Sequence, residues 1–315
     1  MWPNTFTPSL RAKAGWRRRS RRVEKAATAS RPTPLSADRE QSKISLNRSA
    51  SSALARSRRK PIQIASWNVN SIRARVDHVR VWLETCLPDV LLMQELKSLE
   101  FPSPLFKHAG YYSEFVGQKS YNGVAILSRS PIQVVSTTLL GDDADSHARF
   151  LETRIDGLRV VNVYAPNGNP PHSSKFEYKL AWMDRLAAQM RLWLSDGIPT
   201  IIGGDYNVIP EDIDCDKPEN WKRDALFFPE PRARYRAMLE LGYTDAFRSL
   251  HPNDSGQFTY WDYFRQAFER NRGIRIDHFL LTPDLAKRMK SCVIDKTPRT
   301  WEKPSDHTPI VLTLD

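Results

Sequence analysis

The sequence predicts a layered α/β domain with mixed β-sheets, preceded by a basic tail. Three observations carry this. Composition changes abruptly near residue 61. Beyond it, short β-rich runs alternate with helical stretches. Many of the strands have no helix between them, which argues for stacked layers and mixed strand directions.

The tail comes first. Residues 1–60 hold 16 of the 47 Lys and Arg but only 3 of the 36 Asp and Glu. That leaves 31 basic and 33 acidic residues in 61–315, a balance near −2, so the formal +11 belongs to the tail. Arg, Ser and Ala dominate it, around Arg17–Arg22 and Ser49–Lys60. Such a segment buries too little apolar surface to offset chain entropy, and disorder is expected over 1–60. Three uses stay open: an organelle address, a non-specific DNA-binding arm, or a dispensable extension from a misassigned start. The remaining 255 residues suit one large domain with a sizeable buried core over 61–315. No apolar run approaches the ~18 residues that a membrane helix needs. Cys86, Cys215 and Cys292 are odd in number and far apart, so they read as reduced thiols.

The elements follow in order. Strands are predicted at Ile62–Trp67, Val90–Gln94, Gly123–Ser128, Ile132–Thr138, Leu158–Tyr164, Thr200–Gly203, Ile276–Leu281 and Pro309–Leu314. Helices are predicted at Arg75–Thr85, Ser174–Leu194 and Arg232–Leu241. In the second, Phe176, Leu180, Met183, Leu186, Ala187, Met190 and Leu194 make one apolar face. Gly242 ends the third.

Polar residues fall where these strands end. Ile62–Trp67 runs into Asn68 and Asn70, Val90–Gln94 into Glu95, and Leu158–Val163 into Tyr164 and Asn167. Thr200–Gly204 runs into Asp205 and Asn207; Asp277 sits in Ile276–Leu281; Ser305, Asp306 and His307 precede the last strand. Rigid scaffolds place functional groups at strand ends, so six elements could meet on one rim. The donors are hard oxygens: Glu95, Asp205, Asp306 and the amides of Asn68, Asn70 and Asn207 suit magnesium. No Cys/His cluster has zinc spacing. A His beside a carboxylate can act as base or as charged stabiliser. This set fits water attacking a phosphodiester with metal assistance. Singly, each has a plainer reading: Asn68 and Asn70 as turn formers, Gly203–Gly204–Asp205 as a tight turn, Asp306 as a cap. His78, His108, His147, His172, His251 and His278 read as surface or satisfied core histidines.

The blocks WNVNSIRAR (67–75), MQELK (93–97), VYAPNG (163–168), GGDYNV (203–208), FTYWDY (258–263), NRGIRIDHFLL (271–281) and EKPSDHTPI (302–310) resemble the exonuclease III family of the endonuclease/exonuclease/phosphatase superfamily. The resemblance spans roughly 61–315, with all seven blocks in order and spacing. It implies a four-layered α/β sandwich, two mixed sheets face to face with helices outside. It also implies 3′→5′ exonuclease activity on duplex DNA, incision 5′ to abasic sites and removal of 3′ blocks, with Mg²⁺ or Mn²⁺. Glu95 matches the family's metal-ligand Glu; Asn68 and Asp306 match residues at or near the metal. Asp205 matches the Asp that orients or deprotonates water, and Asn207 its hydrogen-bonding neighbour; both are also candidate ligands. Asp277 and His307 match an Asp–His pair on the scissile phosphate, and Tyr164 a phosphate or leaving-oxygen contact. Whether Asp205 or His307 is the base, and whether one or two metals act, stays open.

For DNA, Tyr260 and Trp261 are pocket candidates, with Ile274 and Ile276 as walls and Phe264 as a wedge. Strand-like alternation places Phe258, Tyr260 and Phe264 on one face and Trp261 and Tyr263 on the other. Asn167, Arg73, Lys97 and Arg149 are further DNA-contact candidates, with Arg75, Lys119 and Arg272 beside the blocks. The sequence departs from the family at Leu96, where Thr is usual, and at Tyr260, often Trp or Phe; Leu96 should point away from Glu95. The expected enzyme is a monomer without membrane association, cytoplasmic and near the nucleoid in a bacterium. Two rivals stand beside it. A superfamily phosphatase on lipid or inositol phosphates shares the metal motifs, and an inactive binder predicts loss of Glu95, Asp205 or His307, all present.

Overall fold

The computed structural model describes residues 60–315. The expectation of disorder over 1–60 lies outside the described residues.

Among the described residues, twelve strands form two six-stranded sheets. They are β1 (Ile62–Asn68), β2 (Val90–Gln94), β3 (Tyr112–Val116), β4 (Val124–Ser128), β5 (Gln133–Ser136), β6 (Phe150–Ile155), β7 (Leu158–Tyr164), β8 (Thr200–Asp205), β9 (Thr244–Asp245), β10 (Asp277–Leu281), β11 (Met289–Ile294) and β12 (Ile310–Leu314). The helices are α1 (Ile72–Cys86), α2 (Ser103–His108), α3 (Ser174–Ser195), α4 (Pro229–Glu240), α5 (Ala246–Leu250) and α6 (Pro283–Ala286). One sheet runs β11-β12-β1-β2-β4-β3, the other β5-β6-β7-β8-β10-β9.

Each sheet is antiparallel except for one parallel pair, β1–β2 and β7–β8. That exception matters for function. Parallel neighbours end on the same side, so Asn68 stands opposite Gln94 and Tyr164 opposite Asp205. The antiparallel β10 then begins where β8 ends, with Asp277 opposite Asp205.

Central strands are apolar on both faces because both faces are covered. Ile64, Leu92, Ile126, Ile201, Phe279 and Leu312 fill the space between the sheets. On the outer face of the first sheet, Ala65, Trp67, Leu91 and Met93 pack with Trp82 and Leu83 of α1. On the outer face of the second, Val161, Val163 and Leu280 pack with Trp182, Leu186 and Met190 of α3 and Met238 of α4. The order helix, sheet, sheet, helix is the expected four-layered sandwich. A polar clasp joins the sheets: Gln94 Nε2 donates to Asn162 Oδ1 (2.7 Å), and Asn162 Nδ2 donates to the carbonyls of Met93 and Ala125 (2.8 Å each).

The predicted strands stand, with shifts of one or two residues at their ends. Helix α1 starts three residues before Arg75; α4 starts at Pro229, where a first-turn proline costs nothing. Strands β3, β6, β9 and β11 and helices α2, α5 and α6 went unpredicted. They are short or mix charged with apolar residues, as in YSEFV and FLETRI. The three cysteines are free, as expected.

The aromatic block is corrected. Residues 258–264 form no strand; only Tyr260 makes isolated bridges, to Ile274 and His307. The predicted two-face alternation therefore fails. Phe258 and Trp261 instead pack together, ring centroids 6.4 Å apart, with Phe268 against the indole.

Candidate active site

The loops after β1, β2, β7 and β8 and before β10 and β12 converge. Glu95 (φ 54°), Lys97 (φ 53°) and Asn207 (φ 49°) all adopt left-handed backbone. These turns aim the side chains off the strand ends into the rim. Glu95 is the hub. Its Oε1 accepts from Tyr164 OH and Asn68 Nδ2 (2.9 Å each), and its Oε2 lies 2.7 Å from Lys97 Nζ. Asn68 Nδ2 also donates to Asp205 Oδ2 (3.0 Å). The Asn207 backbone N–H donates to Asp205 Oδ1 (2.8 Å). His307 Nδ1–H donates to Asp277 Oδ2 (2.8 Å), and its Nε2 stands 3.8 Å from Asp205 Oδ2. Ser305 Oγ ties the last loop to the Asn68 carbonyl (2.8 Å).

The protonation states follow. Burial alone would raise the Glu95 carboxyl, but the Lys97 ammonium and the Asn68 amide hold it below its ordinary value. Burial would lower His307, but Asp277, then Asp205 and Asp306, push it well above the ordinary histidine range, so the ring is an imidazolium. Asp205 is raised by burial and the Asp277 charge; His307 pulls it back and Glu95 adds to the rise. Burial and the Glu95 and Asp205 charges keep the Tyr164 phenol protonated.

One oxygen or nitrogen each from Glu95, Asp205 and His307 lies within 4.8 Å of the others. With His307 protonated, two carboxylates remain as donors. Three carboxylates (Glu95, Asp205, Asp277) face two cations (Lys97, His307), and Asp277 Oδ1 is buried without a hydrogen-bond partner. A hard cation keeping several waters fits this oxygen-rich, net negative set.

Two predicted ligands have other partners here. Asn68 Oδ1 accepts the Asn70 backbone N–H (3.0 Å), which can only donate, so Asn68 turns its nitrogen to the carboxylates. In this arrangement it braces Glu95 against Asp205. Asp306 Oδ1 accepts from Asn70 Nδ2 (2.9 Å), and Asp306 lines the same cleft as Glu95, Asp205 and His307.

The cluster forms one end of a cleft of ≈ 420 Å³ whose walls include Tyr260, Ile274, Ile276 and Leu226. Glu95, Tyr164 and Asn167 also edge an adjoining cleft of ≈ 580 Å³, lined by Lys97, Tyr121, Arg149 and Lys175. Asn167 Nδ2 donates to Asn207 Oδ1 (3.2 Å). Arg149 stacks over the Tyr164 ring (4.7 Å) and leaves its Nε unpartnered. Phe264 is 75 % exposed. Three DNA-contact expectations change. Trp261 is fully buried, with its indole N–H on Asn271, so it cannot line the pocket. Arg73 borders a separate apolar groove with Ile72, Val76 and Phe101. Lys97 is engaged by Glu95 and by Asn70 Oδ1 (2.5 Å) rather than free for phosphates. Leu96 is buried in the α1 cluster, away from the site as expected. Thr259 went unnoticed: its hydroxyl accepts the backbone N–H of Ile276 and Asp277 (3.1 Å each), fixing the start of β10.

The profile of the Endonuclease/Exonuclease/phosphatase family matches residues 65–307. The chain is similar to exodeoxyribonuclease III of Haemophilus influenzae, 34 % identical over 79 % of this chain and 98 % of the relative. An AP endonuclease from Archaeoglobus fulgidus superposes with TM-score 0.78 at 40 % identity, covering 81 % of this chain and 99 % of that one. A 3′ phosphatase from Neisseria, bound to a product DNA hairpin, matches with TM-score 0.78 at 36 % identity over 81 % and 99 %.

Proposed function

The chain belongs to the endonuclease/exonuclease/phosphatase family, and on that premise we propose that it is a metal-dependent DNA-repair phosphodiesterase. It acts as a 3′→5′ exonuclease on duplex DNA, incises 5′ to abasic sites and clears 3′ phosphates and related blocks. The observation that carries this is the charge excess at the cleft end: three buried or half-buried carboxylates against one lysine and one imidazolium. Such a site would take a divalent cation, whose charge would offset that of a scissile phosphate.

Glu95 and Asp205 would hold Mg²⁺ or Mn²⁺, with Asn207 at the edge of the set, and the ion would supply Lewis-acid polarisation of the phosphate and offset its charge. Asp205, oriented by the Asn207 backbone N–H and Asn68 Nδ2 beside His307 Nε2, is the base that would take a proton from the attacking water. His307, kept charged by Asp277, donates from Nε2 to a phosphate oxygen as negative charge builds. Tyr164, held protonated, donates toward the leaving oxygen. Water adds to phosphorus, the P–O3′ bond breaks, and a 3′ hydroxyl and a 5′ phosphate result. Tyr260, Ile274 and Ile276 form the apolar wall for an extruded abasic sugar, and exposed Phe264 is the wedge. Asn167 and Arg149 contact the backbone. The enzyme works as a monomer in the cytoplasm; among the described residues no helix is long and apolar enough to cross a membrane.

Two 5′-labelled duplexes test this, one with a single abasic site and one with a recessed 3′ end, each with Mg²⁺, Mn²⁺ or EDTA. Metal-dependent incision of the first and laddering of the second are expected. No cleavage of either by folded protein, with release of phosphate from an inositol phosphate, would overturn the reading in favour of the phosphatase rival.

A further inference from the structure

Lys179 lies on α3 and its side chain is fully buried. Among the described residues, no carboxylate approaches its ammonium within ion-pair distance. A lone buried lysine is costly, and its removal by an apolar residue would ordinarily favour the fold. Its two hydrogen bonds explain where it is. Nζ donates to the carbonyl of Asn167 (2.9 Å) and to the carbonyl of Asn207 (2.5 Å). These two residues sit on the loops after β7 and β8, and their side chains are already joined through Asn167 Nδ2 and Asn207 Oδ1. Gly168 lies flat on the lysine stem: a Cβ there would stand 2.6 Å from Lys179 Cδ. Charged or neutral, the amino group retains at least two N–H donors, one for each carbonyl.

We infer that Lys179 is a positioning residue that pins the Asn167 and Asn207 loops to α3, and through the Asn207 backbone N–H sets the orientation of Asp205. It touches neither substrate nor reacting atoms. Its effect on rate rests on the DNA-cleavage reading above; its effect on the loops does not.

The test compares the full chain with Lys179→Met, which keeps the unbranched stem and removes the donors. Hydrogen exchange by mass spectrometry reads segments 165–169 and 205–209, and steady-state kinetics on the abasic duplex reads kcat and KM. Exchange in both segments should speed about tenfold, with the central strands unchanged. The kcat should fall about tenfold to a hundredfold, with KM within about twofold, because a displaced Asp205 loses alignment rather than affinity. Unchanged exchange in the two segments overturns the inference, whatever happens to the rate. Faster exchange with unchanged kcat overturns the catalytic link. If wild type itself does not cut DNA, the functional reading fails and the exchange arm still decides the loop anchor. Should Lys179→Met not fold, Lys179→Gln carries the same two readouts, with smaller changes in the same directions expected and no change in either overturning it.

Discussion

Asp277 and His278 are neighbours on β10, yet they feed two opposite kinds of buried charge cluster. His278 faces a network in which every charge has a partner. Arg275 donates to Asp214 from Nε and Nη2 (2.7 and 3.0 Å) and to Asp245 from Nη1 (3.0 Å). Arg248 adds a second cation to Asp214, and Tyr235 OH a donor to Asp245. Two carboxylates thus meet two guanidiniums. Burial, helped by the Arg275 charge, lowers His278 to about 4, so the ring is neutral: Nε2–H donates to the Val208 carbonyl and Nδ1 accepts from Arg275. Asp277, one residue away, enters the site cluster, where three carboxylates face two cations and one oxygen has no partner. The balanced cluster holds the fold. The unbalanced one is costly for the fold, and in the proposed reaction it is where a cation and a phosphate would enter.

The sharpest way to break this contrast is at the site. Asp205→Asn or His307→Ala should lower kcat at saturating metal by about 10²–10³-fold or more, while DNA binding stays near wild type. Single-turnover cleavage and a gel-shift titration check this. Loss of binding in parallel with rate would mean that the cluster is structural, like its neighbour.

Arg275→Met should do the reverse. It leaves Asp245 without a guanidinium and Asp214 with Arg248 alone, and unfolding in urea should show a loss of about 3–5 kcal/mol. A stability change below about 1 kcal/mol would remove the distinction between the clusters.

Glu95→Gln tests the unbalanced cluster's need for a cation. About tenfold more Mg²⁺ should be required for half-maximal rate, read from a metal titration of incision. An unshifted curve would take Glu95 out of the ligand set.

The smallest effect is in pH, where the two clusters should give opposite slopes for the metal-free protein. Asp245 is subject to burial, which raises it, but Arg275 and His278 outweigh this and lower it to about 2. Its contribution is present above the ordinary carboxylate pKa and is lost as pH falls from near 4 toward 2. Neutral His278 adds to this: it favours the fold above the ordinary histidine pKa, and that part fades from about 6.5 toward 4. His307 is raised, so its ion pair stabilises fully below the ordinary histidine pKa and weakens as pH climbs through its folded value. Thermal melts in EDTA should show Asp245→Asn flattening the acid limb and His307→Gln the alkaline limb. Either variant flattening the other limb would refute the assignment.

The strands that carry the site were legible because burial on both faces writes them as unbroken apolar runs, and a polar residue ending such a run stands out. Asn68, Glu95, Tyr164, Asp205 and Asp277 were found that way, and the structure brings all five together. Edge strands β3 and β11 were missed because half of each meets water and their residues lose the pattern. Arg275, inside NRGIRIDHFLL, offered a signal that went unused: a charge between Ile274 and Ile276, ahead of an apolar strand, must be either exposed or paired.

By itself, then, the sequence determined the fold class, the strands and the chemical inventory of the rim. These depend on local pattern and residue type. Only the tertiary structure decided which way Asn68 turns its amide, that Trp261 is core while Tyr260 is wall, that Lys97 pairs with Glu95, and that Lys179 grips two loops from behind. The Lys97–Glu95 pair is local, but the others turn on distant contacts, as between Asn68 and Asp205, 137 positions apart, set by packing that no single segment encodes.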